Sequence, residues 1–311
     1  MERDKTIGDD GTCVETRNSR HTVRLAGVVH DIESWLISLE QLSDHKKCKA
    51  PSFLRPYHFV TTALLAKSRG FNGLKLPGNL EAYATRMNLW TAAGLKSPIA
   101  VNQRNPLGRF LPIQSFTDKA CVDTSANHLA NILGRQSPSV DADSSQSLHI
   151  AMIELLNNCF DHAGESSPGL YGQACAQAWP SGNLAQIAIA DAGEGIRHTL
   201  SGNPSVSPRL VHENACLLAT ELGVTGKLND HSGYGLALAR DVLVSNGGRL
   251  IVISGTEFAL CSSNGISVRS TKTPWKGSLI IFEWRTDRPL DVTAVYESWP
   301  LAEGFDNDDF F

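Results

Sequence analysis

From residue 22 onward, short apolar runs of strand character alternate with longer segments of helical period. "TVRLAGVV" reads as a strand. "PYHFVTTALLAKSRG" reads as a helix, opened by Pro56 and closed by Gly70. "FNGLKLP" is a short strand, "GNLEAYATRMNLW" a second helix and "RFLPIQSF" a further extended piece. Together they predict a small α/β unit over 21–117, preceded by a flexible leader over 1–20. No repeat of 20–50 residues is evident.

The second half has a different rhythm. The polar stretch "GRQSPSVDADSSQS" reads as a loop or an exposed helix start. Next come a helix containing "IELLNNCFDHAG" and two strands, "LYGQACAQAWP" and "NLAQIAIAD". Residues 197–232 are rich in Ser, Asn, Gly and His, with one helical patch, "PRLVHENACLLATEL". "YGLALARDVLVSN" is a helix ended by Gly247-Gly248. The strand "RLIVIS", a hairpin carrying Asn264-Gly265 and the strand "SLIIFEW" follow. This order predicts an α+β sandwich over 118–288, with a mixed sheet and helices on one face. Residues 289–311 form an acidic tail ending "EGFDNDDFF".

Composition narrows the class. A net charge of −4 gives no general affinity for nucleic acid or an anionic membrane, though it leaves a local patch open. No apolar run approaches the ~20 residues of a membrane span, and the first twenty residues hold no signal-peptide core. The seven cysteines are dispersed without a C-x-x-C, as expected of reduced thiols rather than a disulfide frame or zinc site. A cytoplasmic protein is expected.

Three short segments carry candidate chemistry. Glu154, Asn158 and Asp161 fall on one helical face, while Ile153, Leu156, Cys159, Phe160 and Ala163 can line another. Such a stripe is either a solvated face or a row of ligands. In "IAIADAGEGI" an apolar strand delivers Asp191 to its end, and Gly193 and Gly195 follow at once. A carboxylate there can accept a hydrogen bond from an exocyclic amino group, although a plain strand-to-loop turn would read the same. In "HSGYGLALARD", Gly233 and Gly235 stand before a helix, where free N–H groups favour an anion. An ordinary glycine-rich helix entry is the alternative. The segment is neither a P-loop nor a Rossmann fingerprint.

Taken in order, "ELLNNCFDHA", "DAGEGI" and "GYGLAL", followed by "KGSLIIFEW", resemble the N box and two glycine boxes of the GHKL, or histidine-kinase-like (Bergerat-fold), ATPases. The resemblance covers about residues 145–285. It implies that Asn158 ligates a Mg²⁺ bridging the phosphates of ATP, and that Glu154 polarises the attacking water. Asp161 and His162 would border the pocket. Asp191 would read adenine beside Gly193, Gly195 and Ile196, with Ser278 where the family often has Thr. Gly233, Tyr234, Gly235 and Leu236 would hold phosphates beneath a lid over 197–232, in which Lys227 and His231 also lie. The second glycine box departs from the family pattern at Ala237.

The 21–117 unit loosely resembles a STAS-like domain, and His30-Asp31 superficially resembles a phosphoacceptor box. The Pro- and Gly-interrupted pattern that follows is unlike a two-helix hairpin, so His30 reads as structural or surface. What the resemblance implies is a slow Mg-dependent ATPase switching a protein partner, through the N-terminal unit or as a homodimer. An anti-sigma-type serine kinase acting on a STAS-like partner stays open as the alternative, as does a nucleotide binder with negligible turnover.

Overall fold

The computed structural model describes residues 22–25, 31–44, 47–102, 109–135, 142–162, 169–226 and 233–300. In the N-terminal unit, β1 (Thr22–Leu25), α1 (Ile32–Asp44), β2 (Lys47–Cys48), α2 (Pro56–Ser68) and β3 (Gly73–Lys75) build a parallel three-stranded sheet of order β2-β1-β3. α3 (Gly78–Arg86) and α4 (Leu89–Ala92) follow. The predicted single helix over this stretch is split by Asn88, which takes a left-handed conformation at φ 66°. Asn tolerates that region better than most residues. Gly70 at φ 61° ends α2, and Phe71 N–H donates to the Ala66 carbonyl at 2.9 Å.

The rest of the chain runs β4 (Phe110–Phe116), α5 (Val122–Arg135), α6 (Ala142–His162), β5 (Gly172–Trp179) and β6 (Leu184–Ala190). It continues through α7 (Ile196–Ser201), α8 (Ala215–Leu218), α9 (Gly235–Asn246), β7 (Arg249–Ser262), β8 (Gly265–Arg285) and α10 (Val292–Ser298). The five long strands form one sheet of order β4-β5-β6-β8-β7. Every pairing in it is antiparallel, so the expected mixed sheet is not what forms. β4, which the sequence pattern groups with the N-terminal unit, is the outer strand of this sheet, pairing Phe110 with Gln177 and Phe116 with Gly172.

Alternation along the strands explains the layering. Ile187 and Ile189 of β6, and Ile280, Phe282 and Trp284 of β8, face α5, α6, α9 and α10. Ala188, Ala190, Leu279 and Ile281 point the other way, into a core shared with Trp35, Leu36, Phe59, Val60 and Leu64 of α1 and α2. Helices therefore cover both faces, not one. α2 is buried nearly all round, ten of its thirteen residues being inaccessible, as its unstriped composition requires. Trp35 Nε1 donates to Thr61 Oγ1 at 2.9 Å and locks α1 to α2.

β7 and β8 outrun the sheet as a long hairpin. A two-residue turn, Ser263-Asn264, joins them, one residue earlier than the predicted Asn264-Gly265. Register shifts at Ser254–Gly255 and Gly255–Glu257 bend the ribbon. Its tip (Ser262–Gly265) and the sheet end at Gly248–Arg249 line one groove. Among the described residues no helix is long and apolar enough to cross a membrane.

Candidate functional site

The pocket forms where β6 and β8 end against α6 and α9. Asp191 follows β6 and is 4% exposed. Its backbone N–H donates to the Ser278 carbonyl at 3.0 Å, continuing the β6–β8 ladder by one more bond. Asp191 Oδ1 accepts from Gly193 N at 2.8 Å and from Ser278 N at 3.2 Å, while Oδ2 accepts the Ser278 hydroxyl. Burial pushes this carboxyl up to about 6, although the donors from Ser278 and Gly193 pull against that rise. Three acceptor positions are used, which leaves one lone pair of Oδ2 for a further donor.

Two glycines make this geometry sterically accessible. At Gly277 (φ 87°) a Cβ would stand 2.4 Å from the Asp191 carbonyl and 2.5 Å from Oδ1. At Gly195 (φ 84°) it would stand 2.7 Å from Ser254 Oγ. Ser254 itself accepts from Ile196 N at 2.8 Å and donates to the Gly277 carbonyl at 2.7 Å, so a single hydroxyl joins both turns.

The opposite wall comes from α6 and α9. Glu154 Oε2 accepts from Gly235 N at 2.7 Å, so this carboxylate caps the N-terminus of α9. One turn later Asn158 lines the pocket, and its side-chain amide has no hydrogen-bond partner among the described residues. Ile196, Leu200, Ala219, Val224, Leu236 and Ile280 supply apolar walls. The cavity is narrow, about 90 Å³. Small-molecule pockets usually exceed ~300 Å³, so a larger guest needs the cover at Ala219 and Val224–Gly226 to shift.

That cover is more structured than its composition predicts. Leu200, Val206, Leu210, Ala215 and Leu218 form a cluster of their own. Arg197 holds Glu257 through Nε at 2.7 Å and Nη2 at 2.8 Å, and Arg209 clamps both Glu213 and Glu221. The predicted helical patch over 208–222 resolves into a 3-10 turn at Ser207–Val211 and the short α8.

Among the predicted site residues, Glu154, Asn158, Asp191, Gly195, Ile196, Gly233, Gly235, Leu236 and Ser278 line one cavity. Gly193 acts from behind, through its N–H on Asp191. Tyr234 does not join them. The residue is 46% exposed, and its ring packs on Trp299 at 5.8 Å between centroids. Asp161 and His162 close α6, but their side chains lie outside the described residues, as do Lys227, His231 and His30. Sequence reasoning missed Ser254, Gly277 and Gly226. For Gly277 a signal existed, as the glycine just before Ser278 in "WKGSL".

No protein-family model matches this chain, and no curated protein shows significant sequence similarity to it. The site must therefore be read from its own chemistry. Among the described residues no cluster of three or more His, Cys, Asp and Glu could by itself hold a metal. A buried carboxylate with one open acceptor position, flat apolar walls and a helix N-terminus surround one space. With the cover shifted, that arrangement offers an acceptor to an amino-bearing ring at one end and N–H donors to an anion at the other.

Proposed function

We propose that this protein is a GHKL-type ATPase that binds ATP with Mg²⁺ and hydrolyses it slowly, acting as a nucleotide-controlled switch on a protein partner. The observation that carries this reading is Asp191, a buried carboxylate held only by neutral donors and open toward the cavity. Adenine's amino group donates to its free lone pair, between Ile196, Leu200 and Ile280. Guanine presents a carbonyl at that position and is rejected, because two acceptors would then face each other.

Asn158 fits a Mg²⁺ site, since its amide oxygen is unengaged and Mg²⁺ is usually held by one or two protein oxygens plus phosphate and water. When bound, the ion neutralises phosphate charge. Glu154 acts on the water. Its carboxylate, which accepts from Gly235 N through Oε2, stands one helical turn before Asn158 and takes a proton from the nucleophile. The backbone N–H groups of Leu236 and Ala237, in the first turn of α9, remain for the phosphates. The N-terminal unit packs on the back of the same sheet and supplies the surface through which a nucleotide-driven shift reaches a partner.

Calorimetry with ATP and Mg²⁺, together with a phosphate-release assay, tests the reading. Asp191→Asn should weaken ATP binding by roughly 10–100-fold, a bond to a charged acceptor being worth ~1.5–3 kcal/mol. Glu154→Ala should keep ATP binding and lose turnover by ~10²–10⁴-fold. Equal affinity in Asp191→Asn and wild type would remove Asp191 from an adenine site. Labelled phosphate on the protein or its partner, in place of free phosphate, would establish the serine kinase instead.

A further inference from the structure

β8 is three times longer than the strand it pairs with on its inner side. β6 hydrogen-bonds only to Leu279–Arg285, and among the described residues no strand pairs with the same edge of 265–278. Sheet edges of this kind are normally guarded by charge or proline. Half of this one is: Lys272, Pro274 and Lys276 are all exposed along it. The other half, "GISVRS" over 265–270, carries no Pro, and its single charge, Arg269, is turned inward over the Phe258 ring at 4.2 Å and toward Glu33 at 3.9 Å. Here Ile266 is 59% exposed and Val268 48%.

Register fixes which groups face outward. Ser262 pairs with Gly265 across a two-residue turn, so that pair exchanges hydrogen bonds, and so do Leu260–Ser267 and Phe258–Arg269. The backbone N–H and C=O groups of Ile266, Val268 and Ser270 therefore point away from β7. Their side chains share a face with Cys261, Ala259 and Glu257 opposite, and Cys261 and Ala259 belong to the buried core. Ile266 and Val268 thus extend a buried apolar face beyond its cover.

We infer that this edge is a homodimer interface, formed by antiparallel pairing of 266–270 with the same segment of a second copy about a two-fold axis at Val268. The segment complements itself. In that register Val268 meets Val268, Ile266 meets Ser270, and Arg269 meets Ser267, so no like charges are directly opposed. Every outward backbone group between Ile266 and Ser270 gains a partner. The apolar strips of both copies merge on one face, while each Arg269 stays with its own Glu33 on the other. A foreign strand would gain the backbone bonds but not this matched pairing. A contact of this length buries less than about 1,200 Å², which places the dimer among weak ones.

Two measurements on the full chain test this. In sedimentation velocity, wild type should show a reversible monomer–dimer equilibrium in the micromolar range. V268K sets two ammonium groups opposite each other and should weaken it roughly tenfold or more, while V268T should retain it. In hydrogen exchange on wild type, the amides of Ile266, Val268 and Ser270 should gain protection as concentration rises. Those of Gly265, Ser267 and Arg269, already bonded to β7, should stay protected throughout. A chain that stays monomeric across the micromolar range overturns the proposal. A dimer that V268K leaves unchanged, or one without the alternating protection, overturns it equally. Neither measurement involves the pocket, so these results stand apart from the nucleotide reading.

Discussion

Two carboxylates are buried at opposite ends of the β6–β8 pair, and the protein treats them in contrary ways. Glu283, 6% exposed, lies between two guanidiniums: Arg249 Nη2 at 2.5 Å and Arg55 Nη1 at 3.6 Å. Gln186 Nε2 adds a third contact at 3.0 Å. Asp191 has neutral donors alone. Glu283 is therefore electrostatically spent. It ties the N-terminal unit to the sheet through Arg55, and it continues a cross-strand polar row from Gln177 and Gln186 to Arg249. Asp191 keeps the cost of its burial, visible in its raised pKa, and keeps an open lone pair facing a cavity. Cationic, close partners make Glu283 a structural joint, whereas neutral and incomplete partners make Asp191 a candidate binding group.

The sharpest way to break this contrast is at Gly277. Gly277→Ala demands a left-handed alanine and drives Cβ into Asp191. The expected loss is about 3–4 kcal/mol or failure to fold, read by urea denaturation, together with loss of nucleotide binding. The corresponding Gly255→Ala, where a Cβ meets nothing within 4 Å, should cost only the conformational strain, about 1–2 kcal/mol.

Titration of Asp191 tests its half of the contrast next. Asp191 is raised to about 6 in the folded chain, above its unfolded value near 4. Its contribution to stability is thus fully present below pH ~4 and is lost as pH rises through about 6, by on the order of 2–3 kcal/mol. Asp191→Asn should flatten that decline in a series of denaturation curves between pH 4 and 7. Nucleotide affinity should move oppositely, strengthening from pH 5 to 7 as the carboxylate ionises. A wild-type stability profile identical to that of Asp191→Asn would mean that the carboxyl is not perturbed by burial.

Glu283→Gln gives the smallest effect. Arg55 and Arg249 have side chains more than a third exposed, so solvent screens them, and the amide can keep its contact with Gln186. A loss of about 1–2 kcal/mol in stability is expected, with ATP affinity unchanged. A tenfold fall in affinity at unchanged stability would erase the distinction between joint and site.

Much of the pocket was legible in the chain because its parts are local. Asp191 with its glycines, Glu154 with Asn158, and the Gly233–Leu236 turn each sit within a few residues, and the strand and helix periods around them are strong. What escaped depends on distance. Ser254 matters only because folding brings Ile196 and Gly277 to its hydroxyl. "LAQIAIA" reveals that both sides of β6 are buried, but not that α2 provides one cover and α6 the other. The apolar stripe of α5 is plain in its burial, and β4 belongs by pattern to its neighbours in sequence but by pairing to the sheet. The predicted lid concealed its order in charge pairs, Arg197 with Glu257 and Arg209 with Glu213 and Glu221, which composition alone counts as loop.

The all-round burial of α2 carries a consequence for synthesis. Its cover is β5 and β6, and β5 begins at Gly172, roughly a hundred residues after α2 ends at Ser68. At ~5–20 residues per second the ribosome needs ~5–20 s to supply those strands, far longer than a helix needs to form. Phe59, Val60 and Leu64 therefore emerge without their sheet cover, and the α1 helix and the N-terminal sheet, with strands as short as Lys47–Cys48, bury them only in part. During that interval the nascent chain presents an apolar helix of the kind holdase chaperones capture. Speeding translation between Ser68 and Gly172, or displaying the N-terminal unit alone, should change the soluble yield of this protein without altering its folded stability.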